Sequence, residues 1–249
     1  MTTIAMSQDR SPTMTRPVRS ASMVREVLLA CGILSSVLYV ATDVLGGMRY
    51  EGYRFTSQAI SELAAIGAPS KPFVDPFFIA YDLLALAFGI GVFLAAGGHR
   101  ALRISAIMLM GYGAIGFAAV AFAGPTFFAM HQRGAGSLAS DAPHIVLTGV
   151  LVLLLLLAIG FGTLALGKRF RVYSFATVLI VIGFGVLTSM FAARLAAGQP
   201  TPGMGIVERI DVYSALLWLA VLAIALLRRP GSRDDEPGSP QSASVSSAA

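Results

Sequence analysis

The sequence predicts an all-α polytopic membrane protein, a six-transmembrane-helix bundle with both termini cytoplasmic, and three observations carry that prediction. Apolar residues make up 56% of the 249-residue chain and charged residues only 12%, against about 25% charged in soluble domains. Continuous runs near the roughly 20 residues that a helix needs to cross a bilayer recur six times, at 27–47, 73–97, 101–123, 145–167, 173–195 and 210–227. They are rich in Leu, Ala, Val and Gly, where a β-barrel would show short alternating segments. The third observation is charge placement. With the N-terminus inside, twelve of the eighteen lysines and arginines fall on inner segments, and Arg49, Arg54, Lys71, Arg133, Arg194 and Arg209 fall outside. That asymmetry obeys the positive-inside rule, so the net charge of +5 reads as topology and not as a nucleic-acid partner.

Residues 1–24 and 230–249 are rich in Ser, Thr, Pro, Arg and Asp and read as disordered cytoplasmic tails around one membrane domain at 25–229. A signal peptide fails on length: four apolar residues separate Glu26 from Cys31, and the run continues to Gly47. Cys31 has no disulfide partner and packs inside span one as a small hydrophobe. Asp43 lies near the outer end of the same span.

The links "GGHR" and "GKRFR" are short and force antiparallel neighbours, with His99 a solvated loop residue, whereas the links on the other side are long. In the first long link, "TSQAISELAAIGAP" places Ile60, Leu63, Ala64 and Ile66 at helical spacing before Gly67 and Pro69, which predicts a short interfacial or re-entrant helix carrying Glu62. Span two holds Asp82 about 13 Å into a core of about 30 Å, and Asp75 sits on the same face at i−7. An ionisable residue at that depth costs a few kcal/mol to insert, which makes it a site candidate beside the simpler role of fixing helix packing.

In span three, "GYGAIG" (111–116) matches the dinucleotide fingerprint by letter but lacks the preceding strand, so its glycines are read as close helix contacts, as are Gly89, Gly91, Gly160, Gly162, Gly183 and Gly185. Before span four, "SDAPHIV" suits Asp141 to an N-cap, with Pro143 in the first turn and His144 beside it. His131 and His144 are candidate ligands for a divalent metal, but their spacing matches no known ligand pattern, and a hydrogen bond from His144 to a loop carbonyl or to Glu62 is the simpler reading. At the start of span six, Glu208 and Asp211 suit a helix N-terminus, and Arg209 could pair with them or hold an anionic headgroup. Tyr50, Tyr53, Tyr173 and Tyr213 read as interface anchors, and Trp218 as a core or lipid-facing residue.

The stretches "GYRFTSQAISELAAIGAPS" (52–70) and "ERIDVYSALLWLAVLAIALLRR" (208–229), with His144 at the opening of span four, resemble the bacterial membrane family known as domain of unknown function 998. The resemblance covers most of 27–229 and implies a six-span integral membrane protein, with no reaction, substrate or cofactor. Members carry a Pro and an Asp after span three, where this chain reads Phe128-Ala129-Met130-His131.

Three functions follow from the residues. The first is binding of a lipid or small amphiphile in an outward-facing polar cavity lined by Asp43, Glu62, Asp75, His131, His144, Arg209 and Asp211, with Asp82 at its floor. The second is an intramembrane metal-dependent hydrolase, with His131 and His144 as ligands and Glu62 or Asp82 as catalytic base. The third is an accessory subunit of a membrane complex, in which the acidic groups only fix packing. Ser57 and Ser61 are available nucleophiles, but no base can be placed beside either.

Overall fold

The computed structural model describes residues 16–122 and 127–229. Among the described residues, six helices are long and apolar enough to cross a membrane: α1 (Arg16–Met48), α2 (Lys71–Ala95), α3 (Arg100–Ala121), α4 (Ala142–Gly162), α5 (Lys168–Ser189) and α7 (Met204–Leu227), with a one-turn α6 (Ala192–Ala196) between the last two. The protein is therefore a six-span helical bundle. α1 is described from Arg16, ahead of the expected start at residue 27. The expectation of disordered tails falls, for 1–15 and 230–249, outside the described residues.

Each helix packs on its chain neighbour, and α7 sits between α5 and α1 to close a ring. The centre of that ring is apolar: Leu29, Phe88, Leu102, Leu109, Ile159, Trp218, Leu219 and Leu222 are all buried. Outward faces are equally apolar. Val172, Phe175 and Leu179 of α5 are more than half exposed, a stripe that suits lipid contact and not water.

Close approach of α2 to its neighbours depends on glycine. A Cβ on Gly91 would stand 2.8 Å from the Leu29 backbone nitrogen of α1, and one on Gly113 would stand 2.5 Å from that of Leu86. Gly89, Gly116 and Gly162 also face neighbouring helices closely, whereas Gly160 and Gly183 have open space around them and explain no contact. Trp218 is fully buried and donates its indole N–H to Ser174 Oγ at 2.8 Å, which satisfies its one polar atom.

Two helices differ from expectation. The fifth run, expected to continue through residue 195, does form a span over Lys168–Ala196, but its helix is interrupted after Ser189, where the amide of Phe191 bonds the Thr188 carbonyl three residues back, before α6 resumes. The sixth span starts at Met204 and not at residue 210, after Gly203 with φ 84°. Glu208 and Asp211 therefore lie past the first turn and do not serve the helix N-terminus.

Candidate functional site

The three long links, 49–70, 127–141 and 190–203, meet at one end of the bundle, where two arginines hold them together. The segment expected to be a helix forms only one 3₁₀ turn, Ile60–Ala64, which buries Ile60, Glu62 and Leu63 instead of lying on the surface. Its first turn is capped from within, since Glu62 Oε1 accepts the amide of Ala59 at 2.9 Å. Arg133 donates to Glu62 Oε1 at 2.8 Å, to the Ser57 carbonyl at 3.2 Å and to Thr201 Oγ1 at 2.8 Å, so one side chain ties all three links. The amide of Ile66 also donates to the Met130 carbonyl at 2.8 Å.

The second arginine is Arg209 of α7. Its fork meets both oxygens of Asp43 on α1, at 2.8 and 2.7 Å, and its remaining donors reach the carbonyls of Phe55, Gln58 and Gly205 and the Tyr53 hydroxyl. Asp43 is fully buried and takes a further bond from the Tyr213 hydroxyl at 2.6 Å. Burial pushes the Tyr53 phenol well above its ordinary value, although Arg209 opposes the shift, so Tyr53 stays a neutral donor to the Ala59 carbonyl at 2.8 Å. Arg209 thus has no donor left for a headgroup, and its partner is Asp43 and not Glu208 or Asp211. Glu208 instead accepts the amide of Ile60 at 2.6 Å and holds the 3₁₀ turn from below.

The histidines also separate. His131 Nδ1 pairs with Asp141 Oδ1 at 2.7 Å, and the same oxygen accepts the His131 amide at 2.9 Å. Asp141 occupies the N-cap position of α4, yet its side chain makes no cap bond, because it is spent on His131. His144 Nδ1 lies 2.9 Å from the Phe128 carbonyl. A carbonyl only accepts, so Nδ1 carries the proton and Nε2 is left as an acceptor in the neutral ring. Among the described residues, no group of three or more His, Cys, Asp and Glu side chains is placed to hold a metal ion.

Beneath the 3₁₀ turn, α2, α3 and α4 form most of the wall of a partly open cavity of about 310 Å³. Tyr39, Phe78, Tyr81 and Tyr112 form an aromatic wall, and Ala119, Leu147, Leu151 and Leu155 supply much of the apolar one. The rings brace each other: Tyr39 meets Tyr81 edge-on with centroids 4.9 Å apart, and the Tyr81 and Tyr112 hydroxyls are bonded at 2.9 Å. At the loop end, Lys71 and Asp75 pair at 2.9 Å, and Lys71 also donates to the Ala64 carbonyl. His144 and Glu208 line the cavity as well. Deepest of the charged lining groups is Asp82, eleven residues into α2 and so about 17 Å along it. It is 8% exposed and has no hydrogen-bond partner among the described residues; its carboxylate rests on Gly116, where a Cβ would stand 2.5 Å from Oδ1.

A family model described as protein of unknown function (DUF998) matches residues 33–225. The chain belongs to that family. Neither a curated protein nor a solved structure matches it. Within this DUF998 protein, the expected single pocket divides. Asp75, Asp82 and His144 do share one cavity, whereas Asp43, Arg209, Glu62 and His131 hold the links, and Asp211 faces a separate void of about 50 Å³ behind Tyr39, Tyr81 and Tyr112. Glu208 belongs to both, lining the cavity and accepting the Ile60 amide of the first link, whereas Asp82 at mid-span bonds neither an arginine nor an amide among the described residues.

Sequence reasoning passed over Arg133, Lys71 and the tyrosine wall. A usable signal existed for the last. Tyr39, Tyr81 and Tyr112 lie well inside α1, α2 and α3, away from the membrane interfaces that tyrosine favours, and a mid-span hydroxyl needs a polar partner or a cavity.

Proposed function

We propose that this DUF998 protein binds a small amphiphile, lipid-like in having a polar head and an apolar tail, in the cavity between α2, α3 and α4. The observation that carries the reading is a void of about 310 Å³ with mostly apolar walls and a few convergent polar groups, the usual make-up of a small-molecule site and at the lower end of its size range. The links clamped by Arg133 and Arg209 form a lid of fixed structure over it. By the asymmetry of basic residues, this end faces away from the cytoplasm.

Native mass spectrometry of the full chain, released from membranes without added ligand, tests the reading. A bound small molecule is expected, and it should be lost in the cavity-filling variants Ala119→Phe and Leu151→Trp. Retention of the same species in both variants, with the proteins folded, would place it elsewhere and refute the proposal.

A further inference from the structure

We infer that the head of the ligand is a protonated amine and that Asp82 is its counter-ion, an inference that rests on the cavity reading above. Among the described residues, Asp82 makes no hydrogen bond although 8% exposed, and its carboxylate faces the cavity from a position deep in the bundle. A carboxyl buried this deeply is charged only against a cation, and the one cation on the cavity wall among the described residues, Lys71, is held by Asp75 and the Ala64 carbonyl.

Two further polar groups present acceptors. His144 presents an acceptor at Nε2 once Nδ1 has donated to Phe128, and Glu208 is a carboxylate that meets only the Ile60 amide. Ser61, Thr148 and the tyrosine hydroxyls can accept as well as donate, so every polar side chain on the wall but Lys71 can take a bond from a donor head. Four aromatic rings, Tyr39, Phe78, Tyr81 and Tyr112, line the same space, and a ring whose face turns to the cavity attracts a cation. At about 30 Å³ per water, the void holds on the order of ten waters, room for an ammonium group with a short alkyl tail. An anionic head would meet Asp82 and Glu208, while Lys71 is already paired with Asp75.

The test is isothermal titration of the full chain in zwitterionic nanodiscs with hexylammonium, hexanol and hexanoate, corrected by protein-free discs. Hexylammonium should bind at least tenfold more tightly than hexanol, with hexanoate weakest, and Asp82→Asn should remove that preference. Ala119→Phe should abolish binding of all three. Equal binding of hexylammonium and hexanol in the native protein, blocked by Ala119→Phe, would overturn the amine assignment and leave the cavity reading standing. Binding of no probe, or binding that ignores Ala119→Phe, would overturn both. The native protein decides the preference by itself, so the result does not hinge on Asp82→Asn folding.

Discussion

Replacing Arg209 by alanine should remove one of the largest single contributions to the stability of this protein. Asp43 is wholly buried and Arg209 nearly so, with side-chain exposures of 0% and 12%. The change deletes both bonds to the carboxylate and leaves Asp43 with Tyr213 alone, while the Phe55 and Gln58 carbonyls lose their shared donor. Breaking a buried ion pair from one side costs about 3–5 kcal/mol, because the remaining charge stays buried without its partner. For a chain of this size each kcal/mol moves the melting temperature by about 2–4 °C, so Arg209→Ala should lower it by about 6–20 °C. The assay is thermal unfolding in detergent, followed by circular dichroism and by size-exclusion recovery. Arg209→Lys should fall well short of rescue, since an ammonium cannot span both oxygens of Asp43 as the guanidinium fork does. The neutral pair Asp43→Asn with Arg209→Gln should recover more than either single change predicts. A drop under about 3 °C for Arg209→Ala, or strict additivity in the double variant, would refute the clamp.

Three further outcomes follow from the same geometry. Arg133→Ala should cost about 2 kcal/mol, less than Arg209 because its side chain is 23% exposed, and hydrogen exchange should quicken at 57–62 and 199–201 together; quickening at one segment only would argue against a shared tie. Gly113→Ala should destabilise by about 1–3 kcal/mol through overpacking of α3 on α2, since its Cβ would stand 2.5 Å from the Leu86 backbone nitrogen, whereas Gly160→Ala, with open space around it, should cost little; melting curves of the pair check the contrast. On a Cys31→Ser background, Ser137→Cys should react with an impermeant maleimide in intact cells and His99→Cys only after lysis, and the reverse pattern would invert the orientation.

The bundle was legible in the sequence because membrane spans announce themselves by length and apolarity, properties that need no knowledge of partners. Asp82 was legible for a related reason: its depth follows from counting residues along one helix. The links were not. Whether "ISELA" forms a helix or one 3₁₀ turn is decided by Arg133, Glu208 and the Met130 carbonyl, which arrive from 71, 148 and more than sixty residues away. Asp141 shows the same limit on a smaller scale. Its position does suit an N-cap, but His131, folded back across ten residues, claims the carboxylate. Arg209 was visible as a cation near a membrane surface, and only the packing of α7 on α1 reveals that Asp43 satisfies it.

The cavity itself is most directly tested by photolabelling the full chain in nanodiscs with an alkyl amine that carries a terminal diazirine, followed by peptide mapping. The expected result is labelling of cavity-wall residues on α2, α3 and α4, such as Phe78, Ala119 and Leu151, that excess hexylammonium suppresses. Labelling confined to lipid-facing positions such as Val172 and Phe175 of α5, unchanged by the competitor, would contradict it.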